Sequence, residues 1–359
     1  LLIFSPINSP SIATELPKFK SSGRSSLWSL ISTLIFNYIY MKQKKILVFG
    51  ASGAIGRNLI RKLAKSNFII TAVTRNLHQK GYILKTQANA GYINIVEASI
   101  FDEQKLKNLI SKNDICINLV GILFEKGKRN TFKNIHTFFP SLISKICNEN
   151  NIEQFIQISA LGIDQAKDSN YAISKLQGEN NVKKNFSVAT ILRPSVVYSV
   201  DDNFTTNFMT LFSRMPFFPL YYNGKTKFMP IHCSDLTEII FQVISKNIKS
   251  VTIECVGPEI ISLKDILKKL LKLIEKRRLL IPIPLIIARL SAIIFQLLPK
   301  PLLTTDQLTL LKYDNVASGK YKTNFDIGFP SVHKFDLEVK KYAFMWKEGG
   351  QFSKKKNNI

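Results

Sequence analysis

The chain from residue 41 onward alternates short apolar runs with segments of helical periodicity. Apolar runs bounded by turn residues are typical of buried parallel strands, and apolar residues spaced three and four apart are typical of helices. This pattern predicts strands at 45–49, 69–74, 92–97, 115–119, 154–159 and 188–192, and helices at 55–66, 103–112 and 171–184. Because strands and helices alternate, we expect an α/β fold, a doubly wound parallel Rossmann-like sheet.

The pattern loosens beyond residue 200, where the elements become shorter and mixed. We therefore expect a Rossmann domain over 41–200, a smaller mixed or helical C-terminal lobe over 201–320 and a basic tail over 321–359. Residues 1–40 precede the first methionine, and we interpret them as a leader with no folded role.

Two consecutive segments of the lobe differ from the rest in character. Residues 262–278 place apolar side chains on one helical face and carry an excess of basic residues, whereas 279–298 is almost wholly apolar. Pro282, Pro284 and Arg289 argue against a membrane-spanning helix. A basic amphipathic helix followed by an apolar one indicates a membrane-surface or partner-binding element. Two helices that complete the hydrophobic core are an equal alternative.

The sequence GASGAIG, Gly50–Gly56, follows the first predicted strand and opens the first predicted helix. This is the context that a dinucleotide-binding fingerprint requires. Gly50 permits the tight turn, Gly53 lets the backbone approach a pyrophosphate, and Gly56 lets the helix pack on the strand. The helix N-terminus supplies amide donors and a positive dipole. We expect a bound dinucleotide.

The end of the second strand predicts which dinucleotide binds. An NAD enzyme places an acidic residue there for the ribose 2′-hydroxyl, but this chain has Thr74, Arg75 and Asn76. Arginine pairs with a 2′-phosphate, which an acid would repel. Arg57, just after the last glycine, either assists or is a solvated helix residue. The expected cofactor is NADP(H) rather than NAD(H).

A second set of residues has the composition of a catalytic site. Tyr171 and Lys175 are four residues apart at the start of a predicted helix, which places phenol and ammonium on one face. A nearby ammonium and a bound nicotinamide would lower the pKa of the tyrosine and make it a general acid or base. Ser159, at the end of the preceding strand, could hydrogen-bond the same substrate oxygen. The alternative for the pair is an ordinary surface helix.

The net charge of +25 indicates a polyanionic neighbour. Part of it reflects a general abundance of lysine, and the rest concentrates in 264–278 and at Lys354–Lys356, beside an apolar segment. An acidic phospholipid surface fits that placement. No nucleic-acid-binding motif occurs, so we expect no nucleic-acid partner. The four cysteines and four histidines form no pattern typical of disulfides or zinc sites, so we expect no metal.

The glycine loop, Asn118–Gly121, Tyr171–Lys175 and Leu192–Pro194 together resemble the extended and atypical short-chain dehydrogenase/reductase superfamily. More specifically, five stretches are similar to the family of the NADPH-binding accessory subunit of respiratory complex I, alpha subcomplex subunit 9. They are NLVGILFEKGKRNTFKNIH (118–136), ISALGID (158–164), YAISKLQGE (171–179), ILRPSVVYSVDDNF (191–204) and LTTDQLTLLKYDNVAS (303–318).

This resemblance implies a tightly held NADPH whose nicotinamide is not known to turn over, and peripheral attachment to a membrane complex. It also implies roles for individual residues: Gly50, Ser52, Gly53, Ile55 and Gly56 for the pyrophosphate, Arg75 for the 2′-phosphate, Tyr171 and Lys175 for the nicotinamide ribose, and Val120 lining the cleft. The chain departs from the superfamily at Ser199, where glycine is usual, and at Ala98–Ser99, where Gly-Asp commonly touches adenine.

Two functions follow. The first is an NADP(H)-holding accessory component of complex I, peripheral on the cytoplasmic side of a bacterial inner membrane or on the matrix side of the mitochondrial one. The second is an NADP(H)-dependent oxidoreductase or epimerase that acts on a sugar, quinone-related or lipid carbonyl through Tyr171, Lys175 and Ser159.

Overall fold

The computed structural model describes residues 43–350 apart from 67, 297, 299 and 300. The predicted leader over 1–40 and Lys354–Lys356 lie outside the described residues.

Fourteen strands and eleven α-helices are described. The strands are β1 Lys45–Phe49, β2 Ile69–Thr74, β3 Ile93–Glu97, β4 Ile115–Asn118, β5 Gln154–Ile158, β6 Thr190–Pro194, β7 Val197–Tyr198, β8 Phe217–Leu220, β9 Lys227–Phe228, β10 Ile231–His232, β11 Thr252–Cys255, β12 Ile261–Ser262, β13 Leu279–Pro282 and β14 Lys322–Thr323. The helices are α1 Ala54–Ala64, α2 Leu77–Lys85, α3 Glu103–Ile110, α4 Phe139–Glu149, α5 Asn170–Asn185, α6 Thr205–Arg214, α7 Cys233–Ser245, α8 Leu263–Leu273, α9 Leu285–Gln296, α10 Thr305–Leu310 and α11 Phe335–Ala343.

Eight strands form one parallel sheet in the order β3-β2-β1-β4-β5-β6-β11-β14. Ile46 of β1 pairs with Ile70 on one side and with Ile115 on the other. The strand order therefore reverses between β1 and β4, and open α/β sheets bind ligands at the carboxyl ends of the strands beside such a reversal. The predicted doubly wound Rossmann-like fold is confirmed.

Helices cover both faces of the sheet. Ile46 and Val48 pack on one face with α1 and α7, while Leu47 and Phe49 pack on the other face with α3, α4 and α5. Burial of both faces explains why the strands are continuous apolar runs rather than alternating ones. Arg57 and Tyr171 lie near the N-termini of their helices, so they sit at the same edge as the strand carboxyl ends.

The predicted C-terminal lobe has its own core, built from α6, α8, α11, β8 and β13. Its boundaries differ from those expected from the sequence. The sheet extends past residue 200, because β11 pairs with β6 and β14 pairs with β11. Residues 321–359, expected as a basic tail, contribute β14 and the buried helix α11. These short strands carry little periodicity of their own and gain their apolar surroundings only by pairing.

The basic amphipathic segment 262–278 and the apolar segment 279–298 differ in how much of their apolar surface is buried. Helix α8 buries its apolar face and ends at Leu273, short of the predicted 278, because Glu275 adopts a left-handed φ of 56°. The apolar segment after it divides into strand β13 and helix α9, which follows Pro284. Only Ala288 and Ala292 of α9 are buried. Helix α8 therefore completes the hydrophobic core of the lobe, whereas α9 leaves most of its apolar side chains outside the core. Among the described residues, no helix has the length and apolar composition to cross a membrane.

Candidate functional site

The glycine loop joins β1 to α1 in a backbone conformation that strongly favours glycine. Gly50 has a φ of 78°, and a Cβ there would lie 3.1 Å from the carbonyl carbon of Leu119 and 3.2 Å from the nitrogen of Val120. A Cβ on Gly56 would lie 2.4 Å from the carbonyl oxygen of Ala51. The loop is therefore packed against both its own helix and the end of β4, where Val120 borders it.

Helix α1 begins with its dipole directed at this loop. Gly53 is the N-cap residue, no side chain caps the helix, and its first turn contains no acidic residue. The first amides of the helix therefore face the cleft without a competing carboxylate, which suits a pyrophosphate. Ser52 is half-buried in the loop, and Ile55 packs against the sheet, so its side chain fixes the helix.

The two arginines predicted near a 2′-phosphate differ in their surroundings. Arg75, directly after β2, is exposed, and its Nη1 donates to Oδ1 of Asn130 at 3.0 Å. Arg57 instead lies 3.0 Å from Oδ2 of Asp201 in a salt bridge, with its side chain 16% exposed. Arg57 is thus neither a solvated helix residue nor a free cation. Arg75 remains the better candidate for a phosphate contact.

A cavity of about 560 Å³ lies outside the carboxyl end of β3. It is bounded on one side by Ser99, Phe101 and Asp102 and on the other by residues 128–134 of the segment after β4. Ser99 and Ala98 occupy the positions where the superfamily commonly has Gly-Asp, and the space beside them is large enough for an aromatic base. The cavity lies at the carboxyl ends of the strands, the edge at which open α/β sheets bind ligands.

The residues predicted for the nicotinamide half converge at the ends of β4 and β5. Lys175 is 7% exposed, and its Nζ lies 3.5 Å from the carbonyl oxygen of Ile158 and 5.9 Å from the ring centroid of Tyr171. A Cβ on Gly121 would lie 3.3 Å from the same Nζ. The buried hydroxyl of Ser159 has no hydrogen-bond partner among the described residues. An unpaired buried hydroxyl lowers the stability of the fold unless a ligand forms a hydrogen bond with it.

Burial is the main influence on the protonation of Tyr171 and Lys175. Burial lowers the pKa of Lys175 to about 8. Burial first, and then the Asp306 carboxylate, raise the pKa of Tyr171 to about 12 in the protein without a dinucleotide, whereas the lowered value expected from sequence applies with a nicotinamide bound. The phenol is therefore protonated at neutral pH, so it can donate a proton or a hydrogen bond but cannot act as a base without further help from a bound ligand.

Sequence reasoning missed His136, which lies behind Tyr171. Its Nε2 accepts a hydrogen bond from the Ile122 amide at 3.1 Å, and its Nδ1 lies 3.0 Å from Oγ of Ser174. Since Nε2 is an acceptor, Nδ1 carries the proton and donates to Ser174, whose hydroxyl donates to the carbonyl of Tyr171 at 2.8 Å. Burial and then Lys175 lower the pKa of His136 to about 2. This neutral imidazole packs edge to face on the Tyr171 ring at 5.2 Å and orients it.

Asp306 is the second residue that no local pattern indicates. Its carboxylate accepts hydrogen bonds from the Ser169 hydroxyl at 2.9 Å, the Asn170 amide at 2.7 Å and the Tyr171 amide at 3.2 Å. It therefore caps the helix that carries Tyr171 and Lys175 from the far C-terminal segment 303–318. The capping contacts give that segment, which the resemblance marks as specific, a physical role at the site.

Two other features of the resemblance are structural. Arg193 is almost fully buried and binds Glu179 and Asp164, with closest N–O distances of 2.6 Å to each. Its guanidinium joins β6 to α5 and is not available to a ligand.

Ser199, where the superfamily usually has glycine, does not adopt a positive φ. Serine therefore fits this turn, whose amide donates to Asp202 at 3.1 Å.

The parallel sheet and the glycine loop define the class of Rossmann-like NAD(P)H-binding proteins. Residues 50–216 match the family model described as NAD(P)H-binding. The fold is also that of WbmG from Bordetella bronchiseptica, solved in complex with NAD, with a TM-score of 0.64 at 13% identity over 86% of this chain and 94% of that one.

Within that class, the chain is a homologue of complex I alpha subcomplex subunit 9. It is 24% identical to the mitochondrial NADH dehydrogenase [ubiquinone] 1 alpha subcomplex subunit 9 of Arabidopsis thaliana, over 95% of this chain and 85% of the relative. It is also 24% identical to the mitochondrial NADH-ubiquinone oxidoreductase 40 kDa subunit of Neurospora crassa, over 78% of this chain and 74% of the relative. The family expected from the five stretches is confirmed.

Proposed function

We propose that the protein is an NADP(H)-holding accessory subunit of respiratory complex I, attached peripherally at the membrane that carries the complex. The observation that carries this proposal is the similarity to alpha subcomplex subunit 9 over almost the whole chain, well beyond the nucleotide-binding domain. The cap that Asp306 places on the Tyr171 helix supports it, because the C-terminal segment and the nucleotide site then form one packed unit.

The residues present fit a dinucleotide. A Cβ on Gly50 or Gly56 would meet backbone atoms of the protein itself, so the loop keeps the compact form that a pyrophosphate site requires, and the Ser159 hydroxyl is unpaired among the described residues. The first amides of α1 would hold the pyrophosphate, and Lys175 and Tyr171 would hold the nicotinamide ribose. When bound, the cofactor would supply a hydride. Arg75 favours NADP(H) over NAD(H), because it offers a cation where NAD-binding proteins place an acid.

The exposed face of α9 supports attachment at an anionic membrane surface. Ile286 is 75% exposed and Ile294 is 64% exposed, and Leu279 of the preceding strand is 70% exposed. No acidic residue occurs over 276–305, while Lys276–Arg278 and Arg289 are basic. Apolar side chains beside basic ones are the composition of a helix that lies in the headgroup region of anionic lipid.

Purification from native membranes, followed by identification of the bound nucleotide and the co-purifying proteins, tests the proposal. We expect NADP(H) and subunits of complex I. Free protein that carries no nucleotide would contradict it.

Flotation with vesicles of phosphatidylcholine, with and without cardiolipin, tests whether the exposed face of α9 binds an anionic membrane. Ile286→Asp/Ile294→Asp should abolish flotation with cardiolipin, whereas Val332→Asp, equally exposed but on another surface, should not.

One observation favours a second function, an NADP(H)-dependent oxidoreductase acting on a carbonyl. The protonated phenol of Tyr171 can donate to a carbonyl oxygen as the carbon accepts a hydride, and the unpaired Ser159 hydroxyl can hydrogen-bond the same oxygen. Tyr171→Phe separates the two functions. An enzyme should lose orders of magnitude in turnover while NADPH still binds, whereas an accessory subunit should keep its nucleotide and its place in the complex.

A further inference from the structure

We propose that the hairpin at residues 126–130 forms the second half of the 2′-phosphate site and that Lys128 and Arg129 at its tip determine the preference for NADP(H). This inference rests on the proposed function and adds the residues that would discriminate the two dinucleotides. Arg75 alone, exposed at the end of β2, contributes one cation from one side of the cleft.

The hairpin is held in one conformation by its own contacts. The Lys126 amide donates to the Asn130 carbonyl at 2.9 Å, and Gly127 makes the turn with a φ of 66°. Asn134 Nδ2 donates to the carbonyls of Lys128 at 3.3 Å and Arg129 at 3.1 Å. A fixed backbone at the tip lowers the part of the entropy cost of binding that comes from ordering the loop.

The hairpin lies where the 2′-phosphate of a bound dinucleotide is expected. Nη1 of Arg75 donates to Oδ1 of Asn130, which connects the end of β2 directly to the hairpin. Lys128 and Arg129 also line the cavity beside Ser99 at the end of β3. The ribose attached to an adenine in that cavity would therefore lie between the Arg75 side chain and the hairpin tip.

The charges around this cleft favour a dianion. Within the described residues, neither Lys128 nor Arg129 forms a salt bridge, so both heads are available to a ligand. Among the described residues that line the cavity, Asp102 is the only acidic one, and its Oδ1 accepts the Lys105 amide at 3.0 Å as a helix cap. A planar guanidinium beside an ammonium matches a phosphate, with forked hydrogen bonds from one and a point charge from the other.

The test compares the dissociation constants of NADPH and NADH, measured by calorimetry on the full chain freed of nucleotide, for wild type and Lys128→Ala/Arg129→Ala. The matched control is Lys183→Ala/Lys184→Ala, which removes the same charge from exposed positions near the C-terminal end of α5. We expect the NADPH constant to rise about tenfold to a hundredfold in the hairpin variant. The NADH constant should stay within about twofold, and the control should change neither.

An unchanged NADPH constant in the hairpin variant would overturn the inference and leave Arg75 as the phosphate contact. An equal loss of NADPH and NADH would also overturn it, because the hairpin would then serve the adenine or the fold. Wild-type protein that binds neither dinucleotide would refute the proposed function itself, an outcome that the wild-type titration distinguishes before any variant is made.

Discussion

Replacing Lys175 by Met should stabilise the nucleotide-free protein. Lys175 is 7% exposed, and the one hydrogen bond described for its ammonium, to the Ile158 carbonyl, is long at 3.5 Å. Burial lowers the pKa of Lys175 from 10.5 to about 8, a difference of about 2.5. At about 1.4 kcal/mol for each tenfold change in proton affinity, the charged lysine costs the fold about 3 kcal/mol. Methionine keeps a similar apolar stem without the charge.

The sign of the effect changes with pH in a defined way. Below pH 8 the lysine is charged in both the folded and the unfolded chain, so the whole cost is present. Between pH 8 and 10.5 the unfolded chain binds a proton that the folded chain does not, so the stability of the wild type rises with pH. The advantage of Lys175→Met should therefore decline through this window and disappear above it.

Urea unfolding of both proteins at pH 7, 9 and 10.5 measures the difference, in which the titration of all other groups cancels. Lys184→Met, an exposed lysine of the same helix, should show no such trend. A variant that is less stable than wild type at pH 7, or a stability difference that does not change with pH, would refute the reasoning.

Three further changes probe the packing around the site. Gly56→Ala forces a Cβ against backbone carbonyls of the loop, so calorimetry should show loss of NADPH binding, and thermal unfolding a cost of about 1–3 kcal/mol; normal binding would contradict the loop geometry. Arg193→Met leaves two carboxylates unpaired, one of them fully buried, and should cost about 3–5 kcal/mol in urea, whereas a cost below about 1 kcal/mol would show that the ion pairs contribute little. Asp306→Ala removes the cap of the tyrosine helix, at about 1–2 kcal/mol. It should also lower the pKa of Tyr171, followed by phenolate absorbance with Tyr171→Phe as the blank; an unshifted titration would contradict the electrostatic role of Asp306.

The parts of the site that could be predicted from sequence depend on neighbouring residues. Gly50 and Gly56 are needed because of contacts within one turn of chain, so their spacing alone indicates the loop. Tyr171 and Lys175 share a helix face because they are four residues apart. His136 and Asp306 contact the same tyrosine from 35 and 135 residues away, and no local spacing encodes such contacts.

The charge state of the site also depended on distant residues. From sequence, an ammonium four residues away and a bound nicotinamide together were expected to lower the pKa of Tyr171. In the folded protein without a dinucleotide, burial of the phenol and the charge of the Asp306 carboxylate both raise the pKa of Tyr171. Arg57 likewise could not be assigned from its position after the last glycine, because its partner Asp201 follows a strand on the other side of the site.

The amino-acid sequence by itself determined the strand and helix alternation, the nucleotide loop and the family, because each depends on periodicity or on glycine at short range. The tertiary structure decided which apolar segments become core. Helices α8 and α9 both carry many apolar residues, but α8 lies over the lobe and is buried, whereas α9 has only Ala288 and Ala292 against its neighbours. Burial depends on what surrounds a segment, and that is set only when the chain has folded.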